Sequence, residues 1–219
     1  MVRAVLFDLD GTLVNSLQDL AEAVNYSLVR HGFEPHGVEE YRYFVGSGVA
    51  ELIRRTLPEE HRDAATMASV RTQYSAYYAK HYADNTAPYD GIVPLLDALA
   101  VRGLKLAIVS NKPDAFSKEI ARKLLANVAF DVVIGQSEGL PKKPDPAMPL
   151  EAMREMGVSP EECLYIGDSD VDVHTAKNTG VLCAVGCAWG FRGREELLSA
   201  GADVVIDTPA ELLDVLKGR

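Results

Sequence analysis

Two hydrophobic rhythms alternate along this chain. In one, a short run is apolar at nearly every position and then ends in small polar or acidic residues. "AVLFDLD" from Ala4, "LKLAIVSN" from Leu104 and "CLYIGDSD" from Cys163 share this form. "DVVIG" from Asp131, "VLCAVG" from Val181 and "ADVVID" from Ala202 have the same apolar density. Runs apolar on both faces predict strands of a parallel sheet covered on each side. In the other rhythm apolar residues recur at helical spacing, as in "VPLLDALAVRG", "PAMPLEAMREMG" and "VDVHTAKNTG", several closing on glycine. Strand and helix in alternation predict an α/β fold, a Rossmann-like doubly wound parallel sheet.

One stretch breaks the alternation. From Ser16 to Asp84 the patterns are helical only, in "LQDLAEAVNYSLVRHG", "GVAELIRRTL" and "TMASVRTQYSAYYAKHY". Residues 16–84 therefore read as an α-helical subdomain inserted after the first strand, and residues 1–15 and 85–219 as the α/β core. "DNTAPYDG" from Asp84 is the return hinge, facing an outgoing one near Val14 to Ser16. The tyrosines at 74, 77, 78 and 82 follow helical spacing and read as a packing seam.

Ligands of open parallel sheets bind beyond the carboxyl ends of the strands. That rule gathers Asp8, Asp10, Ser110, Asn111 and Asp168 on one rim. Two unit charges about 4 Å apart repel by about 4 kcal/mol at an effective dielectric near 20. Three converging carboxylates therefore need protons or a cation, and a hard divalent ion with oxygen ligands such as Mg²⁺ meets that need. "LPKKPDP" from Leu140 holds two lysines in a proline-stiffened loop, suited to neutralising a phosphoryl group.

Composition narrows the partners. With 47% hydrophobic and 25% charged residues, the chain suits a globular protein, and its formal charge of −10 argues against nucleic acid and anionic membranes as partners. Three cysteines form no even framework or zinc spacing, and the four apolar residues before Asp8 are too few for a signal-peptide core. The expectation is a cytoplasmic protein whose acid rim and lysine loop suit a small anionic partner such as a phosphorylated metabolite.

Taken in order, "DLDGT", "SNK", "KP" and "GDSDVD" at successive strand ends resemble the four motifs of the haloacid dehalogenase superfamily. The helical insertion after the first motif resembles the class that carries a helical cap there. Within the superfamily, "DGTLVNSLQDLAEAVN", "SNKP", "KPDP", "WGFRG" and "GADVVIDTPAELL" are most similar to phosphoglycolate phosphatases and their close relatives.

The resemblance implies roles. Asp8 would be the nucleophile that becomes an aspartyl-phosphate, and Asp10 the acid and base that serves the leaving oxygen and the attacking water. Mg²⁺ would be held by Asp8, Asp168 and the main-chain carbonyl of Asp10, with Asp172 acting through bound waters. Ser110 and Lys143 would hold the phosphoryl group, with Asn111 beside them and Thr12 at the turn. Lys143 is preferred over Lys142 because it directly precedes Pro144.

In the insertion, "RYFVGSGVAEL" resembles the family's cap loop, and Arg42 or the loop Gly46, Ser47 and Gly48, which opens a helix, is expected to meet a substrate carboxylate. Pyrophosphate, nucleotides and sugar phosphates are alternative substrates within the family. A phosphomutase is disfavoured, because Leu20 stands where mutases commonly carry a histidine, and a phospho-aspartate switch would lack the insertion.

Overall fold

The computed structural model describes residues 1–218. In chain order its strands and α-helices are β1 (Ala4–Phe7), β2 (Val14–Asn15), α1 (Leu17–Arg30), α2 (Tyr41–Phe44), α3 (Val49–Thr56), α4 (Ala64–His81) and β3 (Ala87–Pro88). There follow α5 (Ile92–Val101), β4 (Lys105–Pro113), α6 (Asp114–Leu124), β5 (Val132–Gln136), α7 (Ala147–Met156) and β6 (Cys163–Gly167). The last elements are α8 (Asp170–Thr179), β7 (Cys183–Cys187), α9 (Arg194–Ser199), β8 (Val204–Ile206) and α10 (Leu212–Lys217).

Six strands form one sheet in the order β5-β4-β1-β6-β7-β8, every pair parallel. Alternation within β1 sends Val5 and Phe7 to one face, where they pack with Leu96, Ile108 and Ile166. Ala4 and Leu6 face the other way, toward Val109, Met153 and Tyr165. Both layers are closed to water, which is why the strands read as unbroken apolar runs. The chain leaves β1 toward β4 and β5, then returns across the sheet to β6. Strand order therefore reverses around β1, and the crevice at the carboxyl ends of β4, β1 and β6 is the binding position that this topology favours.

Between β2 and β3 the described structure is helical, and these helices bury their own apolar cluster, including Leu20, Val24, Leu28, Tyr41, Leu52, Ile53, Val70, Tyr74 and Tyr78. Phe191, from the segment after β7, joins it. The two crossings between this block and the sheet pair with each other, Val14 with Pro88 and Asn15 with Ala87, antiparallel. Helix α4 starts where the Asp63 carboxylate accepts the amides of Ala65 and Thr66, both at 3.0 Å. Tyr74 and Tyr78, one turn apart, point inward from it, while Tyr77 stacks on Tyr26 with ring centroids 4.2 Å apart. The tyrosine stripe is thus split between two faces. Among the described residues no helix is long and apolar enough to cross a membrane.

Candidate active site

The site starts where β1 ends. The Asp8 amide donates to the Ile166 carbonyl at 2.9 Å, carrying the strand pairing one residue further and fixing the carboxylate against the sheet. The chain then turns tightly, with the amides of Leu13 and Val14 both reaching the Leu9 carbonyl. Gly11 makes this turn with φ at +85°, and a β-carbon on it would overlap the Asp168 carboxylate. The backbone of the first acidic loop therefore lies directly against the third acid.

Asp168 follows β6, and its Oδ2 accepts the Phe191 amide at 2.7 Å. Asp172 sits in the first turn of α8, where the S-x-x-D spacing closes a reciprocal cap. The Ser169 amide and hydroxyl donate to Asp172 Oδ2 at 3.2 and 2.6 Å. This leaves Asp172 Oδ1 for the acid cluster, where Lys143 meets it. Asp8, Asp168 and Asp172 each offer an oxygen, and these oxygens all lie within 4.8 Å of one another.

Lys143 enters this group from the loop before α7. Its Nζ lies 2.7 Å from Asp172 Oδ1, 2.8 Å from Asp8 Oδ1 and 3.1 Å from the Val109 carbonyl. The neighbouring Lys142 points elsewhere, to the Ser47 carbonyl at 3.1 Å. Asn111 explains the difference. Its side-chain amide brackets the Lys143 backbone, with Oδ1 accepting the Lys143 amide at 2.8 Å and Nδ2 donating to the Lys143 carbonyl at 3.1 Å. Nδ2 also reaches the Gly46 carbonyl at 3.0 Å, so Asn111 links the lysine loop to the helical block and spends its donors there.

The charges do not balance. Fully ionised, the three buried carboxyls would set three negative charges against one ammonium. Burial is the main force pushing the Asp8 carboxyl up to about 7; Lys143 opposes it, and Asp172 and Asp10 add to it. Burial, then Asp172 and Asp8, hold Asp168 well above the usual carboxylate range. Lys143 is also buried, yet Asp172 and Asp8 keep its ammonium well above its ordinary value. Asp8 Oδ1 lies 2.8 Å from the Lys143 ammonium but outside hydrogen-bond geometry, whereas that ammonium makes well-formed bonds to Asp172 and Val109. A buried carboxylate oxygen without a well-formed hydrogen bond, inside a cluster whose acids hold on to protons for want of positive charge, fits a hard divalent cation.

Above the cluster lies a chamber with about 70 Å³ of free volume, between the strand ends and the helical block. Asp8, Asp10, Asp168, Ser110, Asn111, Gly46, Gly48 and Arg42 all line it. Arg42 stands at its edge, bound to Glu39 at 2.5 Å and to the Gly190 carbonyl at 3.3 Å. Four expected residues are not brought to its wall: Lys143 and Asp172, buried within the acid cluster, and Ser47 and Thr12. The Ser47 hydroxyl turns to Arg55 at 3.3 Å, in a neighbouring groove. Thr12 lies fully buried under the cluster, its hydroxyl 3.5 Å from Asp168 Oδ1.

Sequence reasoning left Lys112, Tyr78 and Ser16 without a site role. Lys112 lies 3.0 Å from both oxygens of Asp10 and 2.7 Å from the Tyr78 hydroxyl, and Ser16 donates to Asp10 at 2.5 Å. The available signal was the place of Lys112 directly after Ser110 and Asn111 at the end of a buried strand.

This arrangement has known counterparts. The sequence pattern of the haloacid dehalogenase-like hydrolases matches residues 5–185. The phosphoglycolate phosphatase of Pseudomonas putida is 36% identical over 214 residues, which cover 96% of this chain and 78% of that one. The phosphoglycolate phosphatase of Aquifex aeolicus is 33% identical over 219 residues, covering 98% and 97%. The crystal structure of a candidate phosphoglycolate phosphatase from Lactobacillus delbrueckii subsp. bulgaricus superimposes with a TM-score of 0.92 at 32% identity, over 98% of both chains. With the motif acids gathered at the strand ends and relatives matching almost end to end, the chain belongs to the haloacid dehalogenase-like hydrolases and is a phosphatase of the phosphoglycolate phosphatase-like kind.

Proposed function

We propose that this phosphatase hydrolyses a small phosphomonoester, 2-phosphoglycolate foremost, through an aspartyl-phosphate on Asp8. The observation that carries the reading is the cluster of Asp8, Asp168 and Asp172 around Lys143, roofed by the helical block. Size supports a small ester. The chamber's free volume of about 70 Å³ is several times the roughly 10–15 Å³ that one water needs, which favours a small ester. Leu20 lines the chamber at the position where a mutase would carry its histidine, which favours hydrolysis over transfer between sugars.

An oxygen of Asp8 attacks phosphorus as the bond to the ester oxygen breaks, and Asp10 gives its proton to that departing oxygen. The alcohol leaves. Asp10, now ionised, takes a proton from water as the water oxygen attacks the same phosphorus and the bond to Asp8 breaks. Inorganic phosphate departs with both aspartates restored. Lys143 and Ser110 steady the phosphoryl oxygens, since this chemistry depends mainly on position and charge. Asp8, Asp168 and the Asp10 main-chain carbonyl would hold Mg²⁺, with Asp172 beside them; when bound, it would supply positive charge that offsets the crowded acids and the phosphoryl group. Residues 16–84 serve as the cap over the core of residues 1–15 and 85–219. Arg42, on the chamber edge, takes the substrate carboxylate together with the backbone at Gly46 and Gly48.

A panel of small phosphate esters, assayed for phosphate release with Mg²⁺ and with chelator, tests the reading. Turnover should be highest on 2-phosphoglycolate, vanish with chelator and vanish in Asp8→Asn. Arg42→Ala should raise KM for 2-phosphoglycolate more than for p-nitrophenyl phosphate. Robust turnover by folded Asp8→Asn would rule out the covalent route.

A further inference from the structure

A second lysine is buried in the chamber wall, and the mechanism above gives it no task. The Lys112 side chain is only 3% exposed. An ammonium so placed is costly unless fully partnered, and its three donors are all engaged. Its Nζ lies 3.0 Å from Asp10 Oδ1, 3.0 Å from Asp10 Oδ2 and 2.7 Å from the Tyr78 hydroxyl. It also stands 4.8 Å from the Tyr78 ring centroid, within reach of the ring face.

The partners come from both sides of the seam. Asp10 belongs to the loop after β1, whereas Tyr78 belongs to α4 and is buried in the helical block. A hydroxyl from the outgoing hinge completes the grip, as Ser16 donates to Asp10 Oδ1 at 2.5 Å. Neither oxygen of Asp10 is left to choose its own direction. Lys143 stands beside the Asp8 nucleophile of the reading above, whereas Lys112 pairs with Asp10 alone among the acids of the site.

We propose that Lys112 is a positioning residue that aims the Asp10 carboxylate at the ester oxygen and, through the Tyr78 hydroxyl, makes that aim depend on the helical block being seated. The role rests on Asp10 acting as the acid, as read above. When the block lifts away it takes Tyr78 with it, and the ammonium loses one of its anchors. Proton delivery is then assembled only in the closed chamber.

Leaving groups separate this role from a merely structural ion pair. Glycolate leaves as an alkoxide that needs a proton, whereas p-nitrophenolate leaves unaided. The parameter kcat/KM reports the first phosphoryl transfer and is blind to later hydrolysis of the aspartyl-phosphate. General acids contribute roughly 10²–10⁴-fold, so Lys112→Met should lower kcat/KM for 2-phosphoglycolate by about 100-fold and for p-nitrophenyl phosphate by only a few-fold. Tyr78→Phe keeps the ring and should show the same preference at about tenfold. The double variant should be no worse than Lys112→Met, because Tyr78 acts through the lysine.

Equal losses on both esters, or additive losses in the double variant, overturn the proposal. So does a loss confined to KM for 2-phosphoglycolate, which would make Lys112 a binder of the substrate carboxylate. If Lys112→Met does not fold, the ester preference of Tyr78→Phe decides the matter by itself. Wild-type enzyme that turns over neither ester fails the underlying reading and takes this proposal with it; wild-type turnover with indifferent variants fails the proposal alone.

Discussion

Lys143 is the residue on which the acid cluster turns, since among the described residues it alone pairs with both Asp8 and Asp172. Removing one partner of a buried ion pair costs about 3–5 kcal/mol, because the other charge stays behind unmatched. Lys143→Met should therefore lower the urea unfolding free energy of the metal-free protein by about that amount, and Mg²⁺ should recover part of it. A loss under about 1 kcal/mol would mean that the two carboxylates are already protonated or solvated. The choice of Lys143 over Lys142 is visible in the sequence, because only one of them abuts the proline. The buried place of Lys112 is not. Its partners lie 102 and 34 positions away, and nothing local to "SNKP" says that a helix from the insertion will bring a tyrosine to it. Ser47 shows the reverse case: a glycine-flanked serine at a helix start invites assignment to an anion, yet a nearby arginine claims its hydroxyl.

Elements, more than residues, decide how the helical block meets the sheet. The buried Asp19, on α1, accepts from the Asn85 amide at 2.9 Å, the Asn85 side chain at 2.9 Å, the Thr86 amide at 2.8 Å and the Thr86 hydroxyl at 2.5 Å. One carboxylate thus binds the start of the block to its returning crossing, next to the β2–β3 pair. The two crossings are thereby joined. Asp19→Asn keeps the shape but offers a donor where acceptors are needed, leaving buried donors unmatched at about 1–3 kcal/mol. The unfolding midpoint should fall accordingly, and exchange of the Asn85 and Thr86 amides should accelerate; protection equal to wild type would disprove the joint. The six sheet strands were legible because complete burial writes itself as continuous apolar runs. The β2–β3 pair was not, because two residues a side carry no period. Asp19 was hidden too, since it reads as one more polar position in an amphipathic helix.

At the scale of the whole molecule, an acidic protein holds its most crowded acids away from water, under a seated roof. The roof is tied to the core by Asn111 to Gly46, Lys142 to Ser47, Arg42 to Gly190 and Arg192 to Val45. That enclosure raises the Asp8 carboxyl to about 7 from an ordinary 3.8, and Asp168 with it. The direction has a consequence for stability. A group raised in the folded state contributes stability that is complete below its unfolded value and is lost as pH climbs through the folded one. The metal-free protein should therefore weaken between about pH 4 and about pH 7, by at most roughly 4 kcal/mol from Asp8. A dication takes the place of those protons, so its stabilisation must grow over the same interval. Thermal melts in chelator should show Tm falling across this window. Mg²⁺ should raise Tm more on the alkaline side of the window than on the acid side, and Asp8→Asn should flatten the slope in chelator. Equal Mg²⁺ increments on both sides would show that the cation binds away from the buried acids. A slope unchanged in Asp8→Asn would place its origin in groups other than the nucleophile.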